Sequence, residues 1–174
     1  MRVLPLALAA IALSTAIPAQ AGWKLVTAGE PVAIKKTGLT VTPPGDWNRD
    51  GSRPGKKARS WTRDGYSLNR LTFFGEIGTG DTLYKDRKKK DRPLPKFNAD
   101  MLIPDIVRWF EATTRIVYGT ALFEVGAVEP AKFAGYPGFR FNYTFVTAGD
   151  GLKKRGVANG AMVGGKLYLL DYAA

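Results

Sequence analysis

The chain has 174 residues, with 26 Lys and Arg against 15 Asp and Glu, a formal net charge of +11, and neither His nor Cys. Chemistry that needs an imidazole as proton shuttle or metal ligand, or a thiolate as nucleophile, ligand or disulfide partner, is thereby excluded. So basic a balance favours acidic partners.

The chain opens on an address. Arg2 gives a short positive start, Val3 to Ile17 is apolar apart from Pro5, Ser14 and Thr15, and Ala19-Gln20-Ala21 is a small-x-small site. These are the three parts of a secretory signal peptide of bacterial type, with cleavage expected after Ala21. The apolar run falls short of the roughly 20 residues of a spanning helix, and no later stretch approaches it. No Cys follows for lipid attachment. The expected product is soluble, periplasmic or secreted, and without a transmembrane segment once cleaved. Removing residues 1–21 from 174 leaves 153, and losing Arg2 from +11 leaves +10. Residues 22–174 are long enough to bury a core as a single domain, and packing alone must hold it, since no disulfide is available.

Short β-favouring runs come next, at Trp23 to Thr27, Val32 to Lys35 and Leu39 to Thr42, divided by Gly29-Glu30-Pro31 and Lys36-Thr37-Gly38. Arg59 to Thr62 and Tyr66 to Phe74 flank Asp64-Gly65, which predicts a tight hairpin because that dipeptide reaches positive φ. From Gly75 to Phe97 the chain is polar, charged and Gly-containing, and reads as a long basic loop. Ile103, Ile106, Val107, Phe110 and Val117 recur near the helical period, Pro104 suits a first turn and Gly119 a stop, which predicts a helix over 104–117. The period then becomes two. Phe139, Phe141, Tyr143 and Phe145 alternate with Arg140, Asn142 and Thr144, the pattern of a strand with one buried face. Gly149-Asp150-Gly151 turns it into a strand at about 152–163, and Gly164-Gly165 into another at 166–172. The fold class expected is α+β: a mainly antiparallel sheet of early hairpins and a C-terminal meander of three or four strands, packed against one or more helices. The aromatic stripe should face Ile106, Val107 and Phe110.

The run Gly38-Leu39-Thr40-Val41-Thr42-Pro43-Pro44-Gly45-Asp46-Trp47, a strand entering a Pro-Gly turn ahead of a Trp, resembles the opening of PsbP/Mog1-like proteins, among them small exported bacterial members. The order of early hairpins, charged connection, helix and meander is also similar. The resemblance implies helices packed on a central sheet and a role in binding or assembly, with no catalytic residues to carry over. Those folds close with a C-terminal helix, whereas the sequence here stops at Leu170-Asp171-Tyr172-Ala173-Ala174, directly after a strand.

Four local features bear on chemistry. Asp46, Asn48 and Asp50, with Gly51 after them, match the first half of a calcium loop, but Lys57 stands where the bidentate Glu belongs. The competing reading is a polar turn in which Asp and Asn bond their own backbone. Lys85, Arg87, Lys88, Lys89, Lys90 and Arg92 lie within one eight-residue run that also holds Asp86 and Asp91, for a local charge of +4. A second cluster comprises Arg53, Lys56, Lys57, Arg59 and Arg63 and contains Trp61. Such segments are either solvated loops or, with an aromatic among the cations, a surface for anions. The anionic partners expected in an envelope are lipid, glycolipid or polymer; export makes nucleic acid a poor candidate. For catalysis, Ser52, Ser60 and Ser67 sit in no nucleophile elbow and no Ser-x-x-Lys spacing occurs. Paired carboxylates, Asp46 with Asp50 or Glu124 with Glu129, leave a carboxylate-dependent hydrolase of an envelope polymer as the alternative to a non-catalytic binding protein. Gly75 to Asp81 is Gly-rich but matches no phosphate-cradling motif and reads as a flexible turn. No cofactor is expected.

Overall fold

The computed structural model describes residues 22–87 and 90–174. The expected signal peptide and its cleavage point, and Lys88 and Lys89, lie outside the described residues. Three short strands, β1 (Lys24–Val26), β2 (Val32–Ile34) and β3 (Leu39–Val41), are followed by β4 (Trp47–Arg49), β5 (Ala58–Trp61) and β6 (Arg70–Ile77). The helix α1 (Ile103–Tyr118) leads into β7 (Phe123–Phe133), β8 (Tyr136–Val146), β9 (Lys153–Val163) and β10 (Lys166–Ala173). One antiparallel six-stranded sheet has the order β5-β6-β10-β9-β8-β7, and β1-β4 and β2-β3 form two small ribbons. The α+β class is as read from the pattern.

The sheet is covered on both faces over part of its width. On one, the β8 stripe is buried, and Phe110 of α1 sits 5.3 Å, centroid to centroid, from both Phe141 and Tyr143. On the other, Trp61 and Phe73 pack with Val26 and Ile34 of the small ribbons. The alternation along β6 decides this: Phe73 joins the second cluster and Phe74 the first. Asp105 accepts the Leu102 N–H at 3.1 Å, closing the start of α1, and Gly119 ends it at φ 64°. Gly164 and Gly165 both hold positive φ, as a two-residue turn between β9 and β10 requires.

Several expectations need correction. The β5–β6 connection is not a two-residue turn at Asp64-Gly65. Trp61 pairs with Leu71, and the intervening loop is closed by Asn69, whose side chain accepts the Arg63 N–H at 2.8 Å and donates to Asp64 at 2.6 Å. Strand β6 runs on to Ile77, with Glu76 at φ 54° where the register against β10 shifts, so the connection begins later. That connection is irregular in backbone but anchored: Leu83, Tyr84, Leu94 and Phe97 are all in the main core, and Trp109 of α1 donates its indole N–H to Pro95 at 2.9 Å. Ile106, Val107 and Phe110 are buried as expected, together with Trp109, Thr113 and Thr114, whereas Ile103 and Val117, which shared the helical spacing, are exposed.

Candidate functional site

The site grows from two segments that the fold stitches together at the β5 edge of the sheet. The Lys85 N–H donates to the Pro54 carbonyl at 2.7 Å, and Gly55 lies so close to Leu83 that a Cβ there would stand 2.1 Å from its carbonyl oxygen. Lys57 binds across the same seam, donating to Asp81 Oδ2 and to the Glu76 carbonyl, both at 2.7 Å. These contacts bring the segment at 51–57 against that at 83–87. Arg53, Arg70, Lys85 and Arg87 thereby border one cleft of about 650 Å³, with Ser52, Ser60 and Tyr66. A second cleft of about 330 Å³ shares Gly51, Arg53 and Ser60 with it and adds Lys24, Lys35, Arg49 and Arg59. A third, of about 300 Å³, shares Pro54, Arg70, Lys85 and Arg87 with the first and adds Asp86 and Arg92 beside Tyr84, Leu94, Ile116 and Val117. The three adjoin through these shared residues, and their cations outnumber the two acids that line them, Asp50 and Asp86; together they make a cationic trough.

The electrostatics match that description. Arg59 is held below its ordinary value by burial and by the neighbouring Arg53 charge, a sign of crowded cations. Asp50, which lines the second cleft, is engaged: its Oδ1 accepts from the Ser52 N–H and lies 3.0 Å from the Tyr66 hydroxyl, which is also 2.9 Å from the Ser60 carbonyl. Burial would raise the Asp50 carboxyl, but the hydrogen bonds from Ser52 and Tyr66 outweigh it and hold it low. Burial first, then the Asp50 carboxylate, push the Tyr66 phenol up to about 12. Tyr66 therefore stays protonated and donating.

Arg70 is the hub. Its guanidinium lies over the rings of Tyr66 and Tyr118, at 5.2 and 5.8 Å from their centroids, and donates one hydrogen bond, to the Tyr118 hydroxyl at 2.9 Å. None of the three ion pairs among the described residues includes it. Behind it lies a buried polar group. Asp171 is 4% exposed and accepts the Tyr143 hydroxyl at 2.6 Å, and Tyr84 is buried beside Tyr118 with its own hydroxyl in no properly formed hydrogen bond.

Of the predicted cluster residues, Arg53, Arg59, Lys85, Arg87 and Arg92 border the trough. Lys57 is taken by Asp81, Arg63 lies over the Trp47 ring at 4.8 Å, and Lys56 and Lys90 are exposed without lining any of the three clefts. Trp61 is a correction: it is 1% exposed, edge-on to Phe73 at 4.6 Å, and backs the second cleft as part of the core, so it is not free to stack on a ligand. The calcium loop is another, because pairing with β1 draws residues 47–49 into a strand where such a loop must coil. Asp46 accepts the Ala28 N–H and Asn48 donates to the Arg63 carbonyl. No group of three or more acidic residues among the described ones is placed to hold a metal. Neither carboxylate pair faces across a cleft: Asp46 is tied to Ala28, and Glu124 and Glu129 are exposed on the edge strand β7. The glycines at 75–81 make no cradle, since Asp81 itself accepts the Gly78 N–H at 2.9 Å. The reading of the sequence missed Arg70, Tyr66, Lys24, Lys35 and Arg49, which belong to neither charge run. No family model matches the chain, and no curated protein matches it in sequence.

Proposed function

We propose that the chain is an exported, non-catalytic binding protein of the cell envelope whose cationic trough receives phosphate-bearing anionic lipid, glycolipid or polymer. The observation that carries this reading is the seam between the two basic segments, which gathers Arg53, Lys85 and Arg87 around the unpaired Arg70. Four cations at one concavity raise the local anion concentration and desolvate together only if an anion neutralises them. The expected signal peptide supplies the compartment, and the resemblance to PsbP/Mog1-like proteins supports binding over catalysis.

The experiment is co-sedimentation with phosphatidylglycerol vesicles over a salt series, against phosphatidylcholine as neutral control. Reversing Arg53 and Arg87 to Glu removes two surface cations worth ~1 kcal/mol each, so affinity should fall at least about thirtyfold. Reversing Lys132 and Arg140, exposed on β7 and β8, changes the net charge equally and should cost much less. Equal losses in the two double variants, or wild-type binding indifferent to salt, would refute the site.

A further inference from the structure

We infer that the ligand is amphiphilic: a phosphate group seated on Arg70, with a single alkyl chain lying against Tyr84, Leu94, Ile116 and Val117. The inference rests on the anion-binding reading and adds the chemical class. Its first support is the state of Arg70. A guanidinium half-withdrawn from water is ordinarily paired with a carboxylate, yet Arg70 forms no ion pair among the described residues: it hydrogen-bonds only the Tyr118 hydroxyl and lies over two aromatic faces, and the Asp171 carboxyl that it faces accepts from Tyr143 instead. A phosphate is the group that a planar, two-pronged donor accepts best, and Arg53, Lys85 and Arg87 surround the place it would take.

The second support is the contrast between adjoining clefts. Toward Arg53 the walls carry Ser52, Ser60 and Tyr66, all polar, whereas the cleft beyond Arg70, which Lys85, Asp86, Arg87 and Arg92 also line, adds the apolar side chains of Leu94, Ile116 and Val117 and the Tyr84 ring. Val117 continues the apolar stripe of α1 in sequence, but it is 37% exposed and lines this cleft. Tyr84, 4% exposed with an unsatisfied hydroxyl, forms the back wall. Arg70, with Lys85 and Arg87, thus stands where a polar cationic cleft meets one with an apolar wall. A small polar phosphate would use only the first of these. Charge complementarity fixes the head group, and continuity through Arg70 places the chain.

Titration calorimetry with monomeric octyl phosphate, glycerol phosphate and octyl glucoside tests this below the micelle threshold, alongside the phosphatidylglycerol vesicles. Octyl phosphate should bind about sixtyfold more tightly than glycerol phosphate, as three methylenes leaving water at about fourfold each would give. Octyl glucoside should not bind. Val117→Asp, at an exposed position, should bring octyl phosphate down to the level of glycerol phosphate. Arg70→Lys, which keeps the charge without the fork, should weaken both phosphates. Equal affinity for the two phosphates, or a chain-length gain that survives Val117→Asp, overturns the inference and leaves the anion site standing. Salt-sensitive vesicle binding with no binding of either phosphate does the same. Failure of vesicles and phosphates together overturns both.

Discussion

Asp171 is the most consequential residue in the core, and its replacement by Asn isolates one physical term. It stands on β10 between Thr72 of β6 and Ala158 of β9, in the interior of the sheet. The groups that face it are the Tyr143 hydroxyl, the phenols of Tyr84 and Tyr118, and the Arg70 guanidinium. Burial pushes its carboxyl from 3.8 up to about 7, against the lowering effects of the Tyr143 hydrogen bond and Arg70. Between those values the folded state keeps a proton that the unfolded state has released. The stability contribution is therefore complete below about pH 4 and is lost as pH rises through about 7. A change of that size corresponds to ~4 kcal/mol. Asn is neutral throughout and its amide oxygen still accepts from Tyr143. Urea denaturation of both proteins from about pH 4 to about pH 8 should show near-equal stability at the acid end and a variant more stable by ~4 kcal/mol at the alkaline end. Asp50 and Asp81, held low by their hydrogen bonds, change stability in the opposite sense but equally in both proteins, so the difference removes them. A difference independent of pH, or a variant less stable at the alkaline end, would refute the reasoning.

Substitutions at two further positions probe the packing and the seam. Phe141 is 1% exposed and touches the rings of Phe110, Phe139 and Tyr143, so Phe141→Ala should cost about 3–5 kcal/mol, and Phe141→Asp, which also buries an unpaired charge, should abolish cooperative melting in circular dichroism; an unchanged melting temperature in either would refute the aromatic interface. Gly55→Ala puts a methyl 2.1 Å from the Leu83 carbonyl, so the loop must move away: stability should drop by about 1–3 kcal/mol and vesicle binding should fall with the basic residues untouched, whereas wild-type affinity would show that the seam does not assemble the site.

What was legible in the sequence was whatever repeats locally. The alternation in β8 and the glycine pair after β9 are short-range signals, and the helix expected at 104–117 is found at Ile103–Tyr118. Strand β7 was not foreseen because it is an edge. It is mostly exposed on both sides and carries Pro130, which only an edge or bulge tolerates, so no alternation is written into it. Strand β4 is three residues long and exists by pairing with β1. The anchors Leu83, Tyr84, Leu94 and Phe97 are apolar side chains scattered without period through a charged stretch, and only the packed core gives them a common direction. Asp171 did leave a signal. In β10 the inward positions Leu167, Leu169, Asp171 and Ala173 alternate with Tyr168, Leu170 and Tyr172, and an acid in that row marks a buried carboxyl. Arg70 left none, because its one hydrogen-bond partner lies 48 residues further on.

The distribution of carboxylates ties the site to the stability of the fold. Asp81 holds Lys57, and Asp50 is engaged with Ser52 and Tyr66. Asp86 Oδ2 accepts the Leu94 N–H, while its Oδ1 is buried without a partner. The acids nearest the trough are thus committed to shaping its walls, and none forms an ion pair with Arg53, Arg70, Lys85 or Arg87. The mutual repulsion of these cations, felt directly by Arg59 beside Arg53, is a destabilising contribution to the fold. On the proposed reading, an anion entering the trough would remove that term and gain its own contacts. Occupancy and folding would then be coupled, and an alkyl phosphate that fits should raise the thermal midpoint in proportion to the logarithm of its concentration.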